Sequence, residues 1–448
     1  MIPYTRQVHM TAVALLLLCL PACGTGRHAI RDTRVQDAAG SPVTAVTPAP
    51  LPQADTPGDD GEEIRDGQRG LVVERADGQS WLGRVQQSLD SLCGSPISET
   101  SQLGLYIYDL TDGRPVYAHN ALHRMRPASC EKLVTCITLL DREAGLRPLT
   151  TEVIATGRIA GGVLQGDLYL RGDMDPLLTR ANLDTLACAL RQAGIDSVAG
   201  RVCELMPPYE VPPYGWGWCW DDDYGPLAAH LVGGAEGMAT LWPEALARAG
   251  VRLRGEYVSE VKGLEGEVLV AFALEHPVDE VMRPVLKRSD NIYAECLFYR
   301  LASMGGHRKT ARLQAASVVD SLITRLGLHP RDYLIADGSG LSLYNYVTPQ
   351  LLVALLNHAY RDEAIRQRLM PCLPIAGVDG TLRRRMAGTA AQGNVRAKTG
   401  TVEGVSSLSG YLTAANGHTL SFSIINQGVA RTRTGQRFQD QVCLLLSR

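Results

Sequence analysis

The chain has 448 residues, 45% of them hydrophobic and 20% charged, enough for two or three packed domains rather than one small one. A formal net charge of −3, with no basic excess and no acidic block, excludes a nucleic-acid binder and a solvating tail as the main business of the chain. Eleven cysteines form no CxxC pair and join no His cluster, so no metal centre is expected.

In chain order, "TAVALLLLCL" is a ten-residue apolar run behind a short leader, too short to span a bilayer and suited to a signal-peptide core. It leads into "LPAC", which resembles the lipobox of bacterial lipoproteins and would make Cys23 the lipidated first residue of the mature chain. An ordinary signal peptide, with Cys23 a bystander, stays open; either way the protein is exported. Residues 24–70 hold five prolines and no aromatic residue. Such a stretch cannot bury enough apolar surface to fold. As a coil it reaches roughly 35–40 Å, which suits a tether between a membrane anchor and a working domain. The expected divisions are a signal segment at 1–22, a tether at 23–79, a catalytic domain from 80–148 and 276–448, and an insert at 149–275.

From residue 80 the pattern is globular. "WLGRVQQSLDSL" has helical spacing, and "LGLYIYDLTDGRPVYAHN" (103–120) reads as a hairpin around an Asp-Gly turn. In "RPASCEKLVTCITLL", Pro127 suits a first helical turn, and Ser129 and Lys132 are three apart, hence on one helix face. Leu133, Cys136, Ile137 and Leu140 continue an inward stripe. A serine at a helix start beside a desolvated lysine can be an activated nucleophile, because burial favours the neutral amine. A plain helix start with an exposed lysine reads equally well from this stretch alone. Cys130 points about 100° away around the helix and receives no role.

Residues 150–275 are Gly-rich with short strands, one amphipathic helix ("ANLDTLACALRQAG") and a Pro/Trp-rich loop at 207–226 that carries "WGWCW". This reads as a mostly-β insert with one or two helices. Helical patterns follow, the first opened by Ser289-Asp290-Asn291, which taken singly is an ordinary N-cap. "VRAKTGT" supplies Lys398-Thr399-Gly400, which taken singly is an ordinary polar turn. A second hairpin and an apolar helix close the chain. Hairpins at both ends with helices between predict an α+β fold: one antiparallel sheet covered by helices, interrupted by the insert.

The three elements occur in the order S-x-x-K, S-x-N, K-T-G, the signature of penicillin-binding proteins and class A β-lactamases. With "KRSDNIYAE", "ADGSGLSLYN", "LPIAGVDGTLRRR" and "VRAKTGTVEGVSSLSGY", residues 80–448 resemble the S13 peptidases, D-alanyl-D-alanine carboxypeptidase/endopeptidases of the penicillin-binding protein 4 type. The resemblance implies a β-lactamase/transpeptidase-like catalytic domain that acts on peptidoglycan stem peptides through an acyl-enzyme, is inhibited by β-lactams, and needs no cofactor. It implies Ser129 as nucleophile, Lys132 as base, Ser289 as proton relay, Asn291 as a clamp on substrate and lysine, and Lys398 with Thr399 on the substrate carboxylate. Gly400 leaves room for that carboxylate, and the amides of Ser129 and Thr401 form the oxyanion hole. Asp222 and Tyr224 match the insert residues that meet the stem-peptide end. Leu343 and Glu403 replace an Arg and a Gln, which makes that pocket less positive. The long gap between Ser129 and Ser289, without an E-x-x-L-N segment, argues against a class A β-lactamase. The intact trio argues against a non-catalytic wall-binding lipoprotein. The insert resembles that of the S13 type in "GGVLQGDLYLRGDMDPLLT" and "GWGWCWDDDYGP" but is short between 228 and 275, so a reduced insert is expected.

Overall fold

The computed structural model describes residues 71, 73–142, 147–222, 224–232, 237–306 and 309–448. The signal segment, Cys23 and the tether up to residue 70 lie outside the described residues. Helix α1 (Trp81–Cys93) is capped by the Ser80 hydroxyl, which accepts from Gly83 N, and buries Val85, Leu89 and Cys93. The short α2 (Pro96–Thr100) follows, then strands β1 (Gln102–Asp109) and β2 (Arg114–His119), the expected first hairpin.

A single 3-10 turn, Ala128–Cys130, feeds α3 (Glu131–Arg142). Every residue from Glu131 to Leu140 is buried, polar Glu131, Lys132, Thr135 and Thr138 included. The sequence pattern suggested a single inward stripe. Instead α3 is the axis of the helical layer, and a helix packed on all sides has no solvent face to show.

The insert runs through β3 (Leu149–Thr156), β4 (Arg158–Ala160), β5 (Val163–Gln165), β6 (Leu168–Arg171), α4 (Arg180–Gln192), β7 (Ser197–Val198), β8 (Val202–Leu205), α5 (Met238–Arg248), β9 (Arg252–Leu253), β10 (Tyr257–Val261) and β11 (Val268–His276). Its strands form one sheet in the order β10-β8-β6-β3-β11 and a smaller one in the order β4-β5-β7-β9. The pairs β6–β8 and β8–β10 are parallel, so α4 and α5 serve as crossovers. Their apolar faces, including Leu183, Leu190, Trp242 and Leu246, pack with Val153, Leu168 and Leu170.

The chain returns through α6 (Val278–Lys287), α7 (Asn291–Ala302), α8 (Ala311–Arg325), α9 (Pro349–Arg361) and α10 (Glu363–Leu369), then β12 (Arg396–Val402), β13 (Val405–Thr413), β14 (Thr419–Gln427) and α11 (Thr432–Leu446). The two terminal hairpins join as one antiparallel sheet, β12-β13-β14-β1-β2, with Gln102 opposite Gln427. One face packs on α1 and α11 through Leu408, Phe422, Ile424 and Phe438. The other carries Val405, Tyr411 and Ile425 against the helical layer around α3. Small buried serines at 406, 407, 409, 421 and 423 let the layers approach closely.

Candidate active site

The three sequence elements meet where the start of α3, the loop before α7 and the edge strand β12 converge. Ser129 sits in the 3-10 turn behind Ala128, a non-glycine residue at φ +46°. Ser289 itself sits at φ +65°. Each such residue stores on the order of 1–3 kcal/mol, held by its surroundings, and strain of this kind collects at functional sites.

Lys132 is fully buried, and its Nζ donates to Ser129 Oγ at 2.9 Å, to Asn291 Oδ1 at 2.6 Å and to Ser339 O at 2.6 Å. Burial brings its pKa down to about 8, against the pull of Asp337, Glu295 and Asp290. Lys398, also fully buried, donates to Ser289 Oγ at 2.9 Å and Thr399 O at 2.6 Å. Burial and the neighbouring Lys132 charge bring it to about 7. Asn291 also donates through Nδ2 to the Tyr224 hydroxyl at 2.8 Å, so the insert loop reaches the second motif.

On β12, Ala397 N donates to Pro374 O, away from β13. By the alternation of an antiparallel pair, the amides of Thr399 and Thr401 point the same way, along the free side of the strand beyond that contact. The Thr399 hydroxyl donates to Thr381 Oγ1 at 2.7 Å. Gly400 also has a packing reason. A Cβ there would lie 2.1 Å from Ser407 Oγ, 2.6 Å from Pro127 O and 3.0 Å from Cys130 N, so the missing side chain lets the turn that carries Ser129 pack against the strand. Cys130 Sγ and Ser407 Oγ bond the same junction, to Lys398 O and Pro127 O respectively. Gly400→Ala is therefore expected to cost about 1–3 kcal/mol of stability and to disturb Ser129, measured by urea unfolding and penicillin labelling together.

Asp222 turns its carboxylate back on its own loop, accepting from Cys219 N at 2.7 Å. Tyr224, 38% exposed, lies at the rim with its ring against Trp218. Glu403 is exposed in the two-residue turn between β12 and β13.

Asp337 was not singled out from the sequence. It is fully buried and accepts from Trp218 Nε1, Ser339 Oγ, Gly340 N, Ser342 N and Asn345 Nδ2 at 2.7–2.9 Å. It shapes the loop that offers Ser339 O to Lys132 and ties "WGWCW" to that loop. Two further buried acids flank it. Glu295 accepts from Gly338 N at 2.9 Å, and neither Glu131 oxygen has a partner among the described residues. Desolvation first, then neighbouring carboxylates, hold both acids well above the usual carboxylate range, which favours their neutral forms. In "ADGSGLSLYN" Asp337 opens an Asp-Gly-Ser-Gly turn, which by itself does not mark a buried acceptor.

Among the described residues, the one group with metal-ligand spacing is Asp109, Asp112 and His418, on two turns of the main sheet and outside the three motifs. Its members already bond each other, His418 Nδ1 to Asp109 Oδ2 at 2.7 Å.

Residues 85–233 and 226–448 match the model of the D-Ala-D-Ala carboxypeptidase 3 (S13) family. The chain is 28% identical to the D-alanyl-D-alanine carboxypeptidase of Actinomadura sp. (strain R39), over 78% of this chain and 81% of that protein. It is 27% identical to carboxypeptidase DacB of Mycolicibacterium smegmatis, over 96% and 95% of the two chains. The crystal structure of penicillin binding protein 4 (dacB) from Haemophilus influenzae superposes with a TM-score of 0.69 at 22% identity, covering 79% of this chain and 97% of that one, a likeness of fold.

Proposed function

The chain belongs to the D-Ala-D-Ala carboxypeptidase 3 (S13) family, and from that membership we propose how its own residues divide the work of a serine D,D-peptidase on peptidoglycan. The observation that carries the reading is the contact of Lys132 Nζ with Ser129 Oγ at 2.9 Å inside a fully buried lysine environment.

Ser129 Oγ attacks the carbonyl carbon of the penultimate D-Ala as neutral Lys132 takes its proton. Asn291 keeps that amine aimed and binds the substrate amide. The amides of Ser129 and Thr401 hold the oxyanion; losing one such donor costs on the order of 3 kcal/mol of barrier. Collapse breaks the amide bond, leaves an acyl-Ser129 ester, and releases D-alanine with a proton relayed through Ser289. Lys398 and Thr399 hold the terminal carboxylate, and water then hydrolyses the ester. A penicillin enters the same way and leaves a long-lived ester on Ser129. The same acyl-enzyme serves trimming of a stem peptide and cutting of a cross-link.

The two lysines give the reading a pH signature. Lys132 works as a base only when neutral, so acylation is expected to rise with pH through about 8 and level off above it. A bound substrate carboxylate favours the protonated form of Lys398 and offsets its depression. Stability follows the same sign: both pKa values lie below the ordinary lysine value of 10.5. The folded chain then binds fewer protons than the unfolded one, and stability grows as pH rises from about 7 toward 10.5. A flat penicillin-acylation profile between pH 6 and 9 would contradict the assignment of Lys132.

Asp222, Tyr224 and Glu403 are proposed to meet the far end of the stem peptide. Leu343 and Glu403 make that end less positive and favour an amidated diaminopimelate; a clear preference for the free carboxylate in hydrolysis rates would count against this. Export and lipid anchoring at Cys23 are supported by "TAVALLLLCLPAC"; no helix among the described residues is long and apolar enough to cross a membrane. Cys23→Ser should move the protein from the membrane fraction to the soluble one, and an unchanged membrane fraction would refute the anchor.

Release of D-alanine from a peptide ending in D-Ala-D-Ala, abolished by prior penicillin, tests the function. Rapid turnover of penicillin without D-alanine release would favour a β-lactamase instead.

A further inference from the structure

Three of the four outer strands in the two large sheets have some protection against pairing with another chain. β12 is covered by the bridge from Ile375 to Arg396. β2 carries Pro115 and follows a register shift at Ile107/Tyr108. β10 has a register shift between Val258 and Val261, Glu260 at φ +60° and two exposed polar positions. These are the devices that keep edges from pairing with other chains.

The fourth edge, β11, has only a register shift between Val268 and Val270, at its start, and none of these devices from Val270 to His276. It is nine residues long with no residue classed as buried, and reads Val-Leu-Val-Ala-Phe-Ala-Leu before its first charge at Glu275. Val268 is 51% and Leu269 44% exposed. Val270, Phe272 and Leu274 rest half-buried on the α4–α5 core, which therefore opens at this side. Among the described residues no backbone partner lies beyond β11; its ladder is with β3 alone.

We propose that β11 pairs antiparallel with β11 of a second copy of this chain, joining the two insert sheets across a two-fold axis. An axis perpendicular to the sheet keeps each copy's core face on the same side, so residues of equal parity must oppose each other. With the axis at Ala271, Leu274 of each copy would lie opposite the register shift between Val268 and Val270, where a regular ladder is interrupted. With the axis at Phe272, the two Phe272 rings meet, Val270 faces Leu274 on either side, and the half-open cores close on each other. Ala271 faces Ala273 on the opposite surface, small enough for a flat join. The strand thus selects one register by the extent of its regular stretch and by shape. This interface uses no residue of the active site and does not depend on the peptidase reading.

Sedimentation equilibrium of the full chain in a mild detergent tests it. The wild type should show twice the mass of one chain. Ala271→Lys with Ala273→Lys, both solvent-facing in one copy, sets lysine against lysine and should return the single-chain mass with D-alanine release unchanged. Phe272→Cys should cross-link two chains on oxidation, whereas Val268→Cys, beyond the register shift and away from the axis, should not. A wild type of single-chain mass at high concentration, a dimer indifferent to the lysines, or no cross-link at Phe272 overturns the proposal. So does a monomer that binds sacculi until the lysines are introduced, which would give the edge to the wall polymer.

Discussion

Lys132→Met is expected to slow acylation of Ser129 by penicillin roughly 10²–10⁴-fold, the usual range for losing a positioned general base. The side chain is fully buried and reaches Ser129 Oγ, Asn291 Oδ1 and Ser339 O at once. Methionine fills the same channel without a proton acceptor, so the serine stays in place but keeps its proton. Stability should move little. Removing a buried amine relieves its desolvation, and that gain offsets the loss of three hydrogen bonds. Stopped-flow labelling with a fluorescent penicillin reads the rate, and thermal unfolding reads the fold. A loss below tenfold would mean that another group takes the serine proton.

Asp337→Ala is expected to be the most damaging change outside the motifs, at about 3–5 kcal/mol of unfolding free energy. The substitution leaves Trp218 Nε1, Ser339 Oγ, Gly340 N, Ser342 N and Asn345 Nδ2 without their shared acceptor, all around a fully buried position. Each stranded donor carries its own desolvation cost, which is why the effect exceeds that of a single lost hydrogen bond. The loop that presents Ser339 O to Lys132 would loosen at the same time, so acylation should fall as well. Asp337→Asn keeps one acceptor oxygen and should lie between. Urea unfolding of the three proteins checks the order; a cost under 1 kcal/mol for the alanine variant would show that the loop is held by something else.

The site was legible in the sequence where chemistry fixes short spacings. Ser129 and Lys132 are one helical turn apart, and Lys398-Thr399-Gly400 is contiguous, so the residues announce themselves before any fold is known. Asp337 was not legible. An aspartate in a Gly-Ser-Gly turn reads as a surface residue, and its importance comes from Trp218, far away in the chain, and from burial that only the assembled loop creates. Gly400 was legible through its motif, but its packing role was not, because that rests on the distance from its missing Cβ to Pro127 O. The same division runs through the fold. The terminal hairpins were readable from their alternation and turns. The smaller sheet of the insert was not, because β7 and β9 are two residues each and carry no period. The full burial of α3 was hidden by Glu131, Thr135 and Thr138, polar residues that normally mark a solvent face.

The most direct test of Ser129 as the nucleophile is the intact mass of the protein after brief exposure to benzylpenicillin, for the wild type and Ser129→Ala. One penicillin per chain on the wild type, mapped to the peptide that contains Ser129 and Lys132, and none on Ser129→Ala, is the predicted result. An unlabelled wild type, or an adduct that survives in Ser129→Ala, would contradict it.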